Sequence, residues 1–399
     1  MTILDPELYA ATRRPLLEAS PLPAHCYTSR DWYDREVEAI FMKEWLLVGR
    51  ADQIPEAGDY FVEEIVGEAV LVVRGADEMI RAFSPFCRHR GTRLISGTGN
   101  CRVIACPYHG WAYNLDGSLR GAPDMGDVKN FRKESYGLIQ FRSEVWHGFI
   151  FVNFDKSAGS LAEFMGDLPD KLEKYDLSRL VLTRKKTYSI AANWKFYVGN
   201  SQEIYHVPLV HPQTIENVGP KSTWHFEPSR GAYMNLFGTF AGSLSLLKGE
   251  RGFPAIPGMS LDRVERHELP WLMPNTHFLG TVDTFWWLTM FPEGPRKTRI
   301  TVNCCFHRDL IKRPDFEELA ANYYKRLDIT NVEDNKIVEL QQQGAELRNY
   351  TPGRFSHWEG TSISSRTTSW IGSSAAISPL AMLRSDRLSD RMGIGVSCE

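Results

Sequence analysis

Two histidines in an H-x4-H pattern, His206 and His211, close the stretch NWKFYVGNSQEIYHVPLVH at residues 193–211, and Glu203 stands three residues before the first. On a helix, Glu203 and His206 are i, i+3 neighbours and share one face. Pro208 offers no N–H and clashes with the preceding turn, so the stretch predicts a helix that ends there. His206 then sits on its last turn, with His211 just beyond and able to turn back to the same point. Imidazole pairs suit Fe, Zn, Cu or Ni, and two His plus one carboxylate with open positions is the arrangement of non-haem Fe(II) oxygenases. A lone H-x4-H is more often two structural histidines near a helix end; what changes the balance lies upstream.

There, Cys87-Arg88-His89 is followed by Cys106-Pro107-Tyr108-His109. Each half is a Cys/His pair in a loop after a short strand, so two loops can pinch one metal centre between them. Two Cys and two His can hold tetrahedral Zn, or a Rieske [2Fe–2S] cluster with the cysteines on one iron and the histidines on the other. Zinc sites of this composition tend to keep like ligands together, as C-x2–4-C and H-x3–5-H. Here each loop supplies one Cys and one His, which favours the cluster and keeps zinc as the alternative. Gly91 and Gly110 follow the pairs, as tight loops approaching the sulfides require.

These residues need a frame. The 399-residue length suggests two or three domains with ample chain for sizeable cores. A net charge of −3 gives no reason to propose nucleic acid or an anionic membrane as partner. The longest apolar runs, such as Gly148–Val152 and Phe285–Phe291, are too short to span a bilayer. The opening MTILDPELYAATRRPLLEAS has no apolar core, and seven cysteines without a regular framework suggest reduced thiols, so a cytoplasmic location is expected.

Residues 1–44 read as an N-terminal arm and a helix packing on the catalytic domain. Ser29–Trp45 has apolar spacing near 3.6, with Ser29 as N-cap. Over residues 45–155, LLVGR, YFVEEIV, AVLVVRG, IRAFSPF, RVIACPYHGWAYN and WHGFIFVNF alternate with turn clusters, predicting a small antiparallel all-β domain of sandwich or barrel type. A helix-like connection at Leu161–Tyr175 opens a domain of residues 156–399. There the strands LVLTRKKTYSI, FWWLTMF and RITVNCCFH mix with helices at 195–206, 314–328 and 330–349, and a helical segment is expected near the end, ISPLAMLRSDRLSDRM. The fold class expected is α+β, an antiparallel sheet with helices on one side.

CRHRGTRL followed by CPYHGWAYNLDG resembles the Rieske domain of the ring-hydroxylating oxygenase family, in its large catalytic (α) subunit. Residues 193–211 resemble that family's N-x2-[D/E]-x-Y-H-x4-H element, and EDNKIVELQQQG its third-ligand segment; the likeness runs over roughly residues 40–360. Respiratory Rieske proteins add two disulfide-forming cysteines, but Thr92 and Tyr108 stand here, so the soluble oxygenase type is the better match. The resemblance implies Cys87, His89, Cys106 and His109 on a [2Fe–2S] cluster, and His206, His211 and a carboxylate on mononuclear Fe(II), in a catalytic domain of helix-grip type. It points to residues 330–335 for the carboxylate. Thr330 with Glu333 reads as a capping box that starts a helix; Asp334 then lies beside Ile337 and Val338, where a carboxylate is costly unless paired or metal-bound. Asp334 is the expected ligand and Asp328 the fallback. Glu203, where most of the family carries Asp, is the expected electron bridge, accepting from His206 and, across a subunit boundary, from a Rieske histidine such as His109.

The function implied is that of a terminal oxygenase taking O2 and electrons from a separate NAD(P)H-dependent flavin or ferredoxin reductase, since no Gly-rich dinucleotide fingerprint is present. A homotrimer is implied, acting on a small molecule. An aromatic substrate is the first expectation. Oxidative N- or O-demethylation of a quaternary ammonium or methoxy compound is the alternative, and an electron-transfer-only Rieske protein the reading from another class. His225 and His277 are candidates for substrate contact; Trp224, Trp286, Trp287, Phe278 and Phe285 are core or pocket wall, and an aromatic wall suits a flat ring or a quaternary ammonium equally.

Overall fold

The computed structural model describes residues 5–215 and 221–360. The chain divides into two compact units: Met42–Ala158, and the described parts of Met1–Phe41 with Gly159–Glu399. The expected helix ISPLAMLRSDRLSDRM lies outside the described residues.

The Met42–Ala158 unit is all β. Its strands are β1 (Leu46–Arg50), β2 (Asp59–Ile65), β3 (Glu68–Arg74), β4 (Ile80–Phe83), β5 (Thr98–Asn100), β6 (Ile104–Ala105), β7 (Ala112–Tyr113), β8 (Leu119–Gly121), β9 (Gln140–Trp146) and β10 (Phe149–Asn153). Seven form an antiparallel sheet in the order β1-β10-β9-β4-β3-β2-β5, and β6-β7-β8 form a second, smaller one. WHGFIFVNF is not one strand: His147 and Gly148, both at positive φ, make the hairpin turn that separates β9 from β10. RVIACPYHGWAYN also splits, into the β6–β7 pair with the second Cys/His loop between its arms. Leu71, Val73, Phe83, Ile104, Trp111 and Tyr113 pack with Cys87 and Cys106 in one core, so the cysteines project from the loops into apolar surroundings.

In the second unit, after short helical turns at Pro6–Tyr9, Leu16–Glu18 and His25–Thr28, α1 (Arg30–Glu36) is capped by the Ser29 hydroxyl, which accepts from the Trp32 N–H, and continued by a wider turn over Val37–Phe41. Its sheet is antiparallel in the order β11-β17-β16-β15-β14-β13-β12. The strands are β11 (Leu180–Ile190), β12 (Trp224–Glu227), β13 (Tyr233–Phe240), β14 (Glu265–Leu272), β15 (Thr276–Gly280), β16 (Phe285–Gly294) and β17 (Lys297–His307). Helices α2 (Trp194–Ser201), α3 (Val207–Val210) and α4 (Phe316–Ala345) carry the residues of interest. This mixed α and β architecture has the antiparallel sheets and helices expected of the fold class.

In this unit too, local expectations differ from the structure. Leu161–Tyr175 is not one helix but three short turns, Leu161–Met165, Leu168–Leu172 and Glu173–Tyr175, the first closed by Gly166 at positive φ. The helix expected at 195–206 stops at Ser201. Pro208 therefore does not end it; it occupies the first turn of α3, where its missing N–H costs nothing. Finally, the two helices expected at 314–328 and 330–349 are one helix of 30 residues. Thr330 caps nothing: its hydroxyl donates to the Arg326 carbonyl one turn back, a bond that a mid-helix threonine makes readily.

The start of α2 is anchored from three sides. Asn193 caps it by accepting from the Lys195 N–H, its amide donates to the Pro295 carbonyl at 2.8 Å, and its own N–H donates to Gln342 on α4. Beneath it, the fully buried Lys195 and Glu36 pair at 2.6 Å, and the indoles of Trp32 and Trp194 donate to the same carboxylate. Charges buried this deeply are tolerable only when paired, as these are with each other.

Candidate metal centres

The two Cys/His loops share one construction. Cys87 N–H donates to the Thr92 carbonyl and Gly91 N–H to the Cys87 carbonyl; Cys106 N–H donates to Trp111 and Gly110 N–H to Cys106, in the same offsets. Gly91 and Gly110, four residues after each cysteine, have φ near +70°, which a residue with a Cβ adopts only at a cost. Cys87 and Cys106 are buried while His89 and His109 are exposed, and the two imidazoles face each other with ring centroids 4.7 Å apart. Trp111 stacks on His89, and the Tyr113 hydroxyl lies 3.3 Å from the Cys87 sulfur. Burial works against a thiolate at Cys106, but hydrogen bonds from the Tyr108 and His109 N–H groups outweigh it and lower its pKa. Sulfur ligands inside, imidazole ligands outside and N–H groups aimed at sulfur are the donor set a Rieske cluster requires.

The second constellation joins distant segments. Asp334 Oδ1 lies 3.0 Å from His211 Nε2 and 3.6 Å from His206 Nε2, and one donor atom from each of the three residues falls within 4.8 Å of the others. Each imidazole turns its other nitrogen to a carboxylate: His206 Nδ1 contacts Glu203, and His211 Nδ1 lies 2.8 Å from Glu333, whose same oxygen accepts from the Thr214 hydroxyl at 2.6 Å. Such partners fix ring orientation and leave Nε2 as the ligand atom. Asn200 donates to Asp334 Oδ1 at 2.7 Å. Burial disfavours the Asp334 carboxylate, yet hydrogen bonds from both imidazoles hold its pKa well below the usual range. Burial likewise opposes charge on His206, but Asp334 and Glu203 lift it to about 9. A divalent cation fits this set because it can displace the protons that the imidazoles share with Asp334.

Of the sequence expectations, His206, His211 and Asp334 are thus brought together, with Glu203 against His206 although the two are not on one helix. Glu203 also accepts from the N–H groups of Tyr205 and His206, which folds the 202–206 segment tightly. Asp328, the fallback, faces away from the histidines and binds Arg184, Lys186 and Tyr188. Glu333 was the residue missed: it does not cap a helix but holds His211. The only sequence signal was its adjacency to Asp334.

A pocket of about 660 Å³, its open mouth included, adjoins these residues, lined on one side by Tyr197 and Asn200 of α2 and by Arg326, Thr330, Asn331 and Asp334 of α4, and on the other by sheet residues. Strand alternation sorts the candidate aromatics. Trp286 and Leu288 of β16 and His277 and Leu279 of β15 reach the cavity, with Trp224 beside them, whereas Phe278, Phe285 and Trp287 face the opposite side as core. His277 lines the cavity; burial pushes its pKa down to about 3, so it is neutral. His225 instead sits exposed on β12 against Thr239, away from the cavity.

Two metal-binding motifs on two units, with a largely apolar pocket beside the second, define a two-centre oxidoreductase. Residues 44–132 match the Rieske [2Fe-2S] domain and residues 177–369 the ring hydroxylating alpha subunit (catalytic domain). The oxygenase subunit of carnitine monooxygenase from Escherichia coli (strain K12) is 32% identical over 340 residues, covering 84% of this chain and 86% of the relative. The oxygenase subunit of glycine betaine monooxygenase from Pseudomonas aeruginosa (strain UCBPP-PA14) is 28% identical over 373 residues, covering 84% of each. Among solved structures, a quaternary ammonium Rieske monooxygenase described for carnitine oxidation and inter-subunit electron transfer aligns with TM-score 0.75 at 26% identity, over 87% of this chain and 92% of that one. Naphthalene 1,2-dioxygenase from Rhodococcus sp. aligns with TM-score 0.76 at 19% identity, over 94% and 100%, a likeness of fold. The chain belongs to the Rieske non-haem iron ring-hydroxylating oxygenases, as a catalytic (α) subunit. It is a terminal oxygenase with a Rieske [2Fe–2S] domain and a mononuclear iron domain. Among the described residues no helix is long and apolar enough to cross a membrane.

Proposed function

We propose that this terminal oxygenase inserts one atom of O2 into a C–H bond of a small quaternary ammonium compound, next to the charged nitrogen. The aromatic substrate expected first from sequence becomes the second reading. The observation that carries the proposal is the cavity wall: Trp224 and Trp286 put two indoles in it, side chains suited to a methylated cation, and the adjoining carboxylates supply negative charge. With neutral imidazoles, Glu203, Glu333 and Asp334 contribute −3 against +2 from a divalent ion, leaving −1 at that end of the cavity. That the relatives above are carnitine and glycine betaine monooxygenases supports the same choice.

In this reading His206, His211 and Asp334 hold the iron, and Cys87, His89, Cys106 and His109 hold the cluster. When bound, the cluster supplies single electrons, at a potential of roughly −150 to +300 mV for this ligand type, and the iron supplies O2 activation. The balance is R–H + O2 + 2 e⁻ + 2 H⁺ → R–OH + H₂O, with the electrons drawn from NAD(P)H through a separate flavin or ferredoxin reductase. Glu203 and Glu333 keep the two imidazoles in register. Leu236, Leu269, Leu279 and Leu288 exclude water from the reacting carbon. Glu203 is also the electron bridge: one oxygen serves His206, and the other, which here accepts from the Tyr205 and His206 N–H groups, would have to exchange one of those bonds for a Rieske histidine, best His109 of a neighbouring copy. That role asks for a ring-shaped homotrimer in which cluster and iron of adjacent copies meet; full activity of a demonstrated monomer would exclude it. A cytoplasmic setting accords with Cys26, Cys101, Cys304 and Cys305 as free thiols among the described residues.

The test is O2 and NADH consumption with a generic reductase against methylammonium compounds and aromatic acids. Coupled product from methylammonium compounds is expected. Coupled product from aromatic acids alone would replace this substrate class with the second reading.

A further inference from the structure

The cavity contains a buried cation that the iron site does not use. Arg326 lies on α4, and it lines the cavity together with Thr330, Asn331 and Asp334 from the same helix face, at i+4, i+5 and i+8. It is 2% exposed. Its Nε donates to the Thr214 carbonyl at 3.2 Å, and among the described residues that is the one hydrogen bond its guanidinium makes. Among the described residues no carboxylate stands within ion-pair distance. The nearest acids on its helix are otherwise engaged, Asp334 by His206, His211 and Asn200, and Glu333 by His211 and Thr214. Burial lowers its pKa to about 10, opposed by the charges of Asp334 and Glu333, so it remains a cation at neutral pH.

An arginine carries five N–H donors in a planar fork, and burying that charge without a partner is strongly unfavourable. Asp283, another deeply buried charged group of this unit, accepts from Ser243, Thr281 and Tyr323; Arg326 has no comparable set. A guanidinium left this way in a cavity wall is complementary to a planar anion, which it can bind through two parallel hydrogen bonds. Position adds a second constraint. Eight residues at 1.5 Å rise separate the Arg326 and Asp334 backbones by about 12 Å along the helix. One helix face therefore sets a positive group two turns from the carboxylate-rich iron end.

We propose that Arg326 receives a carboxylate of the substrate. Resting on the quaternary ammonium reading above, this makes the substrate a zwitterion, with its methylated nitrogen toward Trp224, Trp286 and the iron end and its carboxylate on Arg326. The cavity then discriminates against a quaternary ammonium alcohol, which has nothing to offer the guanidinium, because binding it leaves the buried charge unpaired.

The experiment is anaerobic calorimetry on the iron-loaded holoenzyme, with L-carnitine and glycine betaine set against their methyl esters and choline. Wild type is expected to bind the carboxylates about 10- to 100-fold more tightly than the esters, as a charge-assisted pair provides. Arg326→Gln is expected to erase that difference while moving the ester and choline affinities less than about threefold, and Arg326→Lys, which keeps the charge but loses the fork, to restore part of it. Wild type binding esters and choline as tightly as the acids overturns the assignment, and that arm stands even if Arg326→Gln fails to fold. Loss of affinity in Arg326→Gln that is equal for acids and esters overturns it too. If only aromatic carboxylates bind, with the same dependence on Arg326, the quaternary ammonium reading falls and the carboxylate site stands. If aromatic and ammonium compounds bind alike with or without a carboxylate, the carboxylate site falls.

Discussion

The two proposed metal-ligand sets are built on different principles. All four residues proposed to hold the cluster fall within residues 87–109, on two loops with the same hydrogen-bond pattern and a positive-φ glycine at the same offset, backed by one small core. The mononuclear set joins the two ends of the short helix α3, His206 and His211, to the middle of a 30-residue helix, with His211 and Asp334 separated by 123 positions. The first depends on local chain path, so its geometry follows whenever the small unit folds. The second depends on α2, α3 and α4 being docked correctly, and it recruits partners, Glu203 and Glu333, to hold each imidazole. A local site tolerates remote change; a site assembled from distant segments must be braced.

The largest effect is expected at the local site. Cys106→Ser removes a sulfur ligand that nothing nearby can replace, so the brown-red colour and the reduced-state Rieske EPR signal should disappear, with all turnover, while mononuclear iron content by metal analysis stays near one per chain. Stoichiometric zinc in a colourless wild type would break the comparison at its first term.

Next is the link between the sites. Glu203→Gln keeps shape but removes a charge and an acceptor, so both centres should load. Stopped-flow oxidation of the reduced cluster, with substrate and O2, should slow by about 100-fold, the upper range for a group that orients a metal ligand. Cluster oxidation and product formation at the wild-type rate would remove Glu203 from the electron path.

A smaller change sharpens the idea of bracing. Glu333→Gln weakens the hold on His211, and iron affinity by competitive chelation should fall by about 10-fold with the Rieske spectrum unchanged. No change in affinity would make the Glu333 contact incidental.

The smallest expected effect lies in the all-β unit and concerns pH. Glu44 is buried with one oxygen unpartnered, and burial, with a further contribution from Asp155, raises its pKa from 4.5 to about 7. It is neutral in the folded unit where the unfolded chain would be charged. Its contribution to stability is therefore full below pH 4.5 and is lost as pH rises towards 7, by about 3 kcal/mol at most. Glu44→Gln should flatten that loss, read as Tm at pH 5 against pH 8; an unchanged slope would place the dependence elsewhere.

How much of this could be read from sequence follows the same division. The cluster loops were legible because ligand type, spacing and glycines sit within a short window. β11, β16 and β17 were legible too, each a dense run of β-branched and aromatic residues. The helix boundaries around the iron site were not. Ser29 and Asn193 are true caps, but Thr330 with Glu333 has the same signature in mid-helix, where packing of Leu327 and Val338 against the core overrides it. Pro208 is consistent with ending a helix or beginning one, and only the short bonds of Glu203 to the backbone ahead of it decide which. Arg326 gave no signal, because whether an arginine is buried and unpaired depends on what the rest of the fold puts around it.

The most direct test of the account is paired iron analysis and EPR on Asp334→Ala and Asp328→Ala, with O2 consumption measured alongside. Asp334→Ala is expected to lose mononuclear iron and substrate-coupled O2 uptake while keeping the full Rieske signal. Asp328→Ala, which removes only the contacts to Arg184, Lys186 and Tyr188, should keep iron and turnover at some cost in Tm. Retained iron and turnover in Asp334→Ala, with both lost in Asp328→Ala, would contradict the assembled site on which the account rests.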